Sequence, residues 1–366
     1  MSWAVWITGL PGSGRSVLAR GAAVRLAELG ERVVVLELDA IRKFVTPAAT
    51  YSQLERDVVY RALVYMAAAL VEAGVPVIID ATGHRREWRE LARASIRRFA
   101  EVQLACPLDV CRDRERRRTA GNAPRGIYAR AGGPGATVPG VDVAYETALA
   151  PELVIDTAVE APGAAVARIV GLARELGAGG RPGARAPGYW AIWITGPPGS
   201  GKTTLAFTTA KALAARGVRV TVVELAGIRR ALLLDRPESD ATREIVHRAL
   251  AYTAKLLTDA GVAAIVDATA PRRAWRELAR DLIAHFAEVQ LVCPREVCLD
   301  RERAARWGLG GRSLTRAVAE APDLVLDYER SLRPELTLYT DVQDLRGAVE
   351  EVLRLATRLH RRGSPS

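Results

Sequence analysis

Short apolar runs alternate with longer amphipathic stretches along the first half of the chain. Runs rich in Val, Ile and Leu lie at residues 4–8, 32–38, 75–80, 101–105 and 153–156. Residues 16–29, 54–73, 85–98 and 108–118 instead show helical character between those runs. Short buried strands alternating with helices predict an α/β fold, with a mostly parallel five-stranded sheet covered by helices on both faces. Ligands of such sheets bind beyond the carboxyl ends of the strands.

The whole pattern occurs twice. WAVWITG at residues 3–9 returns as WAIWITG at 190–196, and WRELAR at 88–93 returns at 275–280, both displaced by 187 positions. Residues 177–188 are rich in Gly, Pro, Ala and Arg, a composition typical of linkers. The sequence therefore predicts one domain at 1–176, a linker at 177–188 and a second copy of the domain at 189–366.

Composition and charge narrow the class of protein. The 366 residues are 49% hydrophobic and 26% charged, which suits folded domains with apolar cores. There is no run of 18 apolar residues and no secretory-type N-terminus, so we expect a cytoplasmic protein without a membrane span. The net charge of +10 favours anionic partners, and phosphorylated or sulfated small molecules are favoured over nucleic acid because the arginines are spread among glutamates.

Each copy contains one C-x4-C pair, Cys106 with Cys111 and Cys293 with Cys298. The spacing and the scarcity of nearby histidines disfavour a metal site. We expect small apolar side chains here, and a disulfide within each pair is the alternative.

A glycine-rich segment in each copy predicts a phosphate-binding loop. GPPGSGKT at residues 196–203 fits G-x-x-x-x-G-K-[ST] between a strand and a helix, which is the context of a P-loop. Backbone N–H groups and the helix N-terminus suit phosphates, Lys202 suits the β- and γ-phosphates, and Thr203 suits Mg²⁺. The first copy has GLPGSGRS at 9–16, where Arg15 keeps the charge as a bulkier planar fork. We expect phosphate binding there, with less efficient transfer.

The two loops give the predicted donor site. Arg15 and Lys202 are its catalytic cations, and Ser16 and Thr203 are its Mg²⁺ ligands. The predicted ATP-binding residues of the loops are Gly9, Pro11, Gly12, Ser13, Gly14, Arg15, Ser16, Gly196, Pro198, Gly199, Ser200, Gly201, Lys202, Thr203 and Thr204.

An acceptor site is predicted after the second strand. Asp39 stands there with Arg42 three residues on. A carboxylate in this place either takes a proton from an acceptor hydroxyl, orients that hydroxyl through Mg²⁺, or caps the next helix. The second copy has Ala226 at the matched position and keeps Arg229. The second copy therefore has the better donor motif, and the first copy has the better acceptor motif.

Further charged residues point to the same crevice. Asp80 and Asp267 end the third strands, and each either holds water on Mg²⁺ or caps the following helix. In each copy a helix carries two arginines that we expect to face the same crevice: Arg56 and Arg61 in the first copy, and Arg243 and Arg248 in the second.

Longer segments resemble the adenylylsulfate (APS) kinase family across most of both copies. LDAIR at 38–42 is similar to the family's D-G-D-x-[VI]-R, and SQLERDVVYR at 52–61 to its S-x-x-D-R-x-x-N-[IV]-R helix. TGHR at 82–85 resembles S-P-x-R, and CPLDVCRDR at 106–114 resembles T-P-L-x-x-C-x-x-R. Most specific is PRGIYAR at 124–130, which resembles D-P-K-G-L-Y-K-K and is followed by PGVD at 139–142 and YE at 145–146.

The resemblance implies transfer of the γ-phosphate of ATP, with Mg²⁺, to the 3′-hydroxyl of adenylylsulfate. It implies acceptor contacts from Asp39, Arg42 and Arg56, with Arg130 on the lid side. Tyr51 stands where the family has a phenylalanine that stacks on the acceptor's adenine, and Val138 replaces the second stacking phenylalanine. Arg114 and Arg301 are implied beside the ATP lid.

The second copy departs further from the family, since WGLGGRS at 307–313 replaces its P-[KR]-G-[LI]-Y loop. Family members are commonly dimers, which implies that the two copies pair within one chain. Two alternatives stay open: a kinase for another small-molecule or polynucleotide-end hydroxyl, and a non-catalytic nucleotide-binding regulator.

Overall fold

The structure, a computed structural model, describes residues 2–178, 190–234, 236–307 and 327–363. The chain divides into two compact units, Met1–Gly183 and Ala184–Ser366, which are called the first and the second unit below. The predicted linker at 177–188 lies outside the described residues from position 179 onward.

The first unit alternates strands and helices. Its strands are β1 (Ala4–Thr8), β2 (Val34–Glu37), β3 (Val77–Asp80), β4 (Phe99–Ala105) and β5 (Leu153–Asp156). Its α-helices are α1 (Arg15–Glu28), α2 (Leu38–Val45), α3 (Gln53–Glu72), α4 (Arg86–Ser95), α5 (Leu108–Arg117) and α6 (Pro162–Gly177), and a 3-10 turn spans Ile127–Arg130.

The five strands form one parallel sheet in the order β2-β3-β1-β4-β5. The central strand β1 is buried on both faces, which explains its unbroken apolar sequence. Val5 and Ile7 belong to a core with α1 and α6. Trp6 has its ring centroid 6.4 Å from that of Tyr60 in α3, which places helices on both faces as predicted.

The second unit repeats this topology with the strand order β7-β8-β6-β9-β10. The strands are β6 (Ala191–Thr195), β7 (Val220–Glu224), β8 (Ala263–Asp267), β9 (Phe286–Val292) and β10 (Leu336–Tyr339). The described helices are α7 (Lys202–Ala214), α8 (Leu225–Leu233), α9 (Asp240–Asp259), α10 (Arg273–Leu282), α11 (Arg295–Trp307) and α12 (Leu345–Gly363).

Two helices of the first unit were not anticipated. Leu38 was placed in the second strand, whereas it is the first residue of α2, because Leu38, Ile41 and Val45 bury one helical face. The helix α6 begins with Pro162 at its first position, where a missing N–H has no cost. Among the described residues, none of the helices combines the length and the apolar character that a bilayer crossing requires.

Candidate active site

The predicted phosphate loop of the first unit is a turn between β1 and α1. Gly12, at φ +83°, leaves no room for a side chain, since a Cβ there would lie 2.2 Å from the carbonyl oxygen of Cys111. Gly14 is in the left-handed region at φ +97° and leads into α1. The hydroxyl of Ser13 is buried without a hydrogen-bond partner among the described residues. Gly199, Gly201 and Ser200 repeat these three features in the second unit.

Arg15 folds back onto the loop it belongs to. Its Nε donates to Asp80 Oδ1 at 3.3 Å, and its Nη1 donates to the carbonyl oxygen of Leu10 at 3.0 Å and to that of Gly9. Only 13% of the side chain is exposed. The guanidinium therefore pairs with the carboxylate that ends β3, and Ser16 lies half-buried beside it.

The second unit arranges the same positions differently. Lys202 is buried and donates to the carbonyl oxygen of Pro197 at 2.9 Å. The Thr203 hydroxyl donates to Asp267 Oδ2 at 2.6 Å. Burial raises the pKa of Asp267, while the bond from Thr203 and the charge of Lys202 oppose that rise. Thr204 is exposed on the first turn of α7.

The alternative in which Asp80 and Asp267 cap the next helices is wrong. The N-cap residues of α4 and α10 are Arg85 and Arg272, and neither cap uses a side-chain hydrogen bond. The backbone leaves each strand several residues before its helix, so both carboxylates stay at the strand ends beside the phosphate loops.

Arg114 and Arg301 hold the loop after the last strand of each sheet. Arg114 donates to the carbonyl oxygen of Thr157 at 2.6 Å, and the Thr157 hydroxyl donates to the carbonyl oxygen of Ser13 at 2.9 Å. Arg301 contacts the carbonyl oxygen of Thr340 at the same distance, 2.6 Å. Arg114 is therefore linked to the phosphate loop of the first unit through Thr157, and Arg301 makes the matched contact with Thr340.

The four cysteines are unbridged thiols, so the disulfide alternative is wrong. Cys111 and Cys298 are buried against the phosphate loops, as expected of small apolar side chains. Burial raises the pKa of each of these two thiols to about 12. They are therefore protonated at neutral pH, which makes them poor nucleophiles.

The predicted acceptor residues of the first unit converge on Tyr51. Asp39 lies in the first turn of α2 rather than at its N-cap, which is Glu37, and its Oδ1 is 3.6 Å from Arg42 Nη1. The guanidinium of Arg42 lies 5.1 Å from the centroid of the Tyr51 ring and that of Arg56 lies 5.9 Å from it. Burial and the charge of Arg42 both lower the pKa of Arg56.

A single cavity of about 590 Å³ joins the donor and acceptor groups of the first unit. Arg15 and Ser16 line it at the phosphate loop, and Asp39, Arg42 and Arg56 line it at the acceptor side. Asp80, at the carboxyl end of β3, lines the same cavity. The arrangement places a phosphate cradle, a carboxylate and two guanidinium groups around one space.

Two of the remaining predicted residues line the cavity, and one does not. Val138, which is buried, and Arg130, which is exposed in the 3-10 turn, both line the cavity. Arg61 was expected to face the crevice but pairs with Asp57 at 3.5 Å and is not among the cavity-lining residues. Five residues along a helix correspond to a rotation of about 140°, so Arg56 and Arg61 point in different directions.

The second unit keeps less of the acceptor group. Ala226 lies in the first turn of α8 and offers no carboxylate. Arg248 pairs with Glu244 at 2.7 Å on the same helix, as Arg61 does with Asp57. The segment that departs from the family's loop, from position 308 onward, lies outside the described residues.

Sequence reasoning missed three residues of the first unit. His84 lines the cavity just after β3, and burial together with nearby arginines lowers its pKa to about 4. Tyr60 also lines the cavity and accepts a hydrogen bond from the N–H of Gly83 at 3.0 Å. The hydroxyl of Tyr128 donates to the carbonyl oxygen of Pro11 at 2.8 Å and ties the 3-10 turn to the phosphate loop. The position of His84 beyond a strand end was the one available signal.

Comparison with known proteins gives consistent matches. A family model described as adenylylsulphate kinase matches residues 1–156 and 189–339. A probable adenylyl-sulfate kinase of Archaeoglobus fulgidus is 36% identical over 158 residues, which is 43% of this chain and 97% of that protein. One from Pyrococcus abyssi is 34% identical over 174 residues, 47% of this chain and 95% of that protein. A solved structure of the Mycobacterium tuberculosis APS kinase with AMPPNP and APS is 28% identical, with a TM-score of 0.42, over 47% of this chain and 98% of that one.

Proposed function

Because this chain belongs to the adenylylsulphate kinase family and is thus an ATP-dependent kinase, we propose that its first unit phosphorylates the 3′-hydroxyl of adenylylsulfate. The observation that carries the proposal is the cavity of about 590 Å³ that phosphate loop and acceptor residues share. A kinase needs both substrates in one water-poor space, with the hydroxyl near the γ-phosphate.

The donor side suits a triphosphate. The left-handed glycines at 12 and 14 let the backbone of the loop turn tightly, and the N-terminus of α1 adds partial positive charge that suits phosphate oxygens. The buried, unpartnered hydroxyl of Ser13 offers a further polar contact there. Arg15 supplies the cation once it leaves the loop carbonyls.

The oxygen donors beside each loop fit Mg²⁺. In the second unit the Thr203 hydroxyl and the Asp267 carboxylate lie 2.6 Å apart, and in the first unit Ser16 and Asp80 occupy the matched positions. Hydroxyl and carboxylate oxygens are the ligands that Mg²⁺ takes alongside nucleotide phosphates. When bound there, Mg²⁺ would supply positive charge that neutralises the transferring phosphates.

The acceptor side suits an anionic nucleotide. Arg42 and Arg56 give two guanidinium groups for the phosphosulfate, since arginine forks match such oxyanions. The Tyr51 ring, 36% exposed, offers a stacking surface for adenine. Val138 gives an apolar contact of smaller area within the same cavity.

We assign Asp39 the role of general base, which accepts the proton of the 3′-hydroxyl. The 3′-oxygen forms a bond to the γ-phosphorus, the bond from that phosphorus to the β,γ-bridging oxygen breaks, and ADP leaves. The proton of the 3′-hydroxyl passes to the Asp39 carboxylate, which Arg42 orients from 3.6 Å. The second unit has no counterpart of this carboxylate, because Ala226 stands there.

A panel of acceptors with γ-labelled ATP tests the proposal. We expect label on adenylylsulfate and none on a hexonate sugar acid or a polynucleotide 5′-end. Label on another hydroxyl and none on adenylylsulfate would assign the chain to a different kinase activity. Nucleotide binding without transfer to any acceptor would support the regulator alternative instead.

The organisation of the chain is part of the same proposal. We take residues 1–176 as the domain with the working acceptor site and 189–366 as the domain with the intact P-loop and a degenerate acceptor site. We also propose that the two copies pair within one chain. Sedimentation equilibrium tests that pairing, since a monomeric chain at micromolar concentration supports it and a tight dimer of chains opposes it.

A further inference from the structure

Tyr51 and Glu238 occupy matched positions, since they are separated by the same 187 residues that relate the two copies. In the first unit the tyrosine ring lies against Arg42 and Arg56. The counterparts of these arginines in the second unit are Arg229 and Arg243. One aromatic residue is therefore exchanged for a carboxylate at the centre of the acceptor site.

Glu238 uses both of its oxygens on these two arginines. Its Oε1 is 3.1 Å from Arg229 Nε, and its Oε2 is 3.4 Å from Arg243 Nε. The Glu238 side chain is 7% exposed, and the two arginine side chains are 18% and 15% exposed. Asp240 adds a second carboxylate 2.9 Å from Arg243 Nη1. The guanidinium pair of the second unit is thus neutralised from within.

In the first unit the matched guanidinium groups, those of Arg42 and Arg56, have fewer carboxylate partners. Arg42 Nε is buried without a hydrogen-bond partner among the described residues. Arg56 donates to the backbone oxygen of Tyr51 at 3.0 Å and to the Thr137 hydroxyl, both of which are uncharged. The Asp39 carboxylate lies 3.6 Å from Arg42 Nη1. Oxyanion-binding capacity therefore remains in this unit.

A second exchange accompanies a different backbone conformation at this position. Glu55 accepts from the N–H groups of Thr50 and Tyr51, at 2.5 and 3.2 Å, and this turn holds Tyr51 at φ +55°. Thr242 replaces Glu55 in the second unit and forms a capping box with Ser239. Glu238 is not among the described residues with positive φ, so its backbone conformation differs from that of Tyr51.

We propose that Glu238 acts as a built-in anion that fills the acceptor's oxyanion subsite in the second unit. This unit then binds ATP with Mg²⁺ and excludes adenylylsulfate. The inference rests on the proposed function for the identity of the acceptor. An entering oxyanion has to displace Glu238 and leave a buried carboxylate without its cations, which is strongly unfavourable.

Calorimetric titration of the full chain with adenylylsulfate, at saturating AMPPNP and Mg²⁺, tests the exclusion. We expect one equivalent of acceptor for the unmodified chain and a second equivalent for Glu238→Tyr. Glu350→Gln is the matched control, because it removes one negative charge from an exposed pair with Arg346 on α12, and it should keep one equivalent.

The outcomes separate the two proposals. Two equivalents on the unmodified chain, or one on Glu238→Tyr, overturn the role of Glu238. No binding to the unmodified chain, with one equivalent gained by Glu238→Tyr, supports that role and contradicts the proposed function. No binding to either protein overturns both.

The reverse exchange gives an independent test in the first unit. Tyr51→Glu should weaken adenylylsulfate binding about 10- to 100-fold more than Tyr51→Gln, because both lose the ring and only the carboxylate competes for Arg42 and Arg56. Two equivalents of AMPPNP bound with unchanged affinities, in both variants, show that the first unit is folded. Equal losses in the two variants overturn the proposal, since charge would then have no part in the exclusion.

Discussion

Replacing Arg15 by lysine should increase the rate of phosphoryl transfer in the first unit. Arg15 is bonded to Asp80 at 3.3 Å and to the oxygen of Leu10 at 3.0 Å, and it must give up such bonds to reach a phosphate. Lys202 in the second unit also donates to a loop carbonyl, that of Pro197 at 2.9 Å, but there Asp267 accepts a hydrogen bond from Thr203 at 2.6 Å. A lysine at position 15 would likewise free Asp80 for Ser16.

The size of the effect follows from these contacts. A hydrogen bond to a charged group has a net value of about 1.5–3 kcal/mol. If one such bond is not replaced when Arg15 turns to the phosphates, the barrier of the unmodified unit is higher by that amount. Each 1.36 kcal/mol corresponds to about a tenfold change in rate. We therefore expect Arg15→Lys to raise kcat by about 10- to 100-fold.

Steady-state release of ADP with adenylylsulfate as the acceptor measures the change. The KM for adenylylsulfate should stay within about threefold, because Asp39 and Arg42 are untouched and uniform binding is unchanged. Arg25→Lys is the matched control, since Arg25 is exposed on the same helix and pairs with Glu28. An unchanged or lower kcat for Arg15→Lys would refute the view that the bond of Arg15 to Asp80 restrains transfer.

Three further predictions concern the first unit. Asp39→Asn should lower kcat by about 10²–10⁴-fold through loss of the proton acceptor, with little change in thermal midpoint because its partly exposed pair with Arg42 contributes at most about 1 kcal/mol; an active variant would reject the assigned role. Arg89→Ala should reduce the free energy of unfolding by about 3–5 kcal/mol in urea, because it strands Glu101, which is buried and paired at 2.6 Å; a loss below about 1 kcal/mol would contradict this. The pKa of His84 falls from 6.5 to about 4 in the folded state, so the unfolded chain binds more protons between these values and stability should fall as pH drops through that window. His84→Gln should flatten that part of the urea-midpoint profile, and a parallel profile for both proteins would oppose the assignment.

The apolar runs predicted the sheet well, because strands buried on both faces have continuous hydrophobic sequence. β1 and β5 have the predicted bounds, and β3 and β4 differ by two residues at their starts. The start of α2 was missed since Leu38 continues the apolar run of β2. Only the burial of Ile41 and Val45 on the same side shows that the chain has already become helical.

The donor motifs were also readable, because a P-loop is contiguous in sequence. The orientation of Arg15 toward Asp80 was not, since it depends on β1 and β3 being neighbours in the sheet. The pairing of Glu238 with two arginines could not be predicted for the same reason. Its partners Arg229 and Arg243 come from two different helices, and a carboxylate between them has no sequence signature.

The most direct test of the central claim is a crystal structure of the full chain with AMPPNP, Mg²⁺ and adenylylsulfate. We expect nucleotide in both phosphate loops and a single adenylylsulfate, in the first unit, with its 3′-hydroxyl within hydrogen-bonding distance of Asp39 and its phosphosulfate on Arg42 and Arg56. Adenylylsulfate bound in the second unit, or turned so that its 3′-hydroxyl lies away from Asp39 and the γ-phosphate, would contradict it.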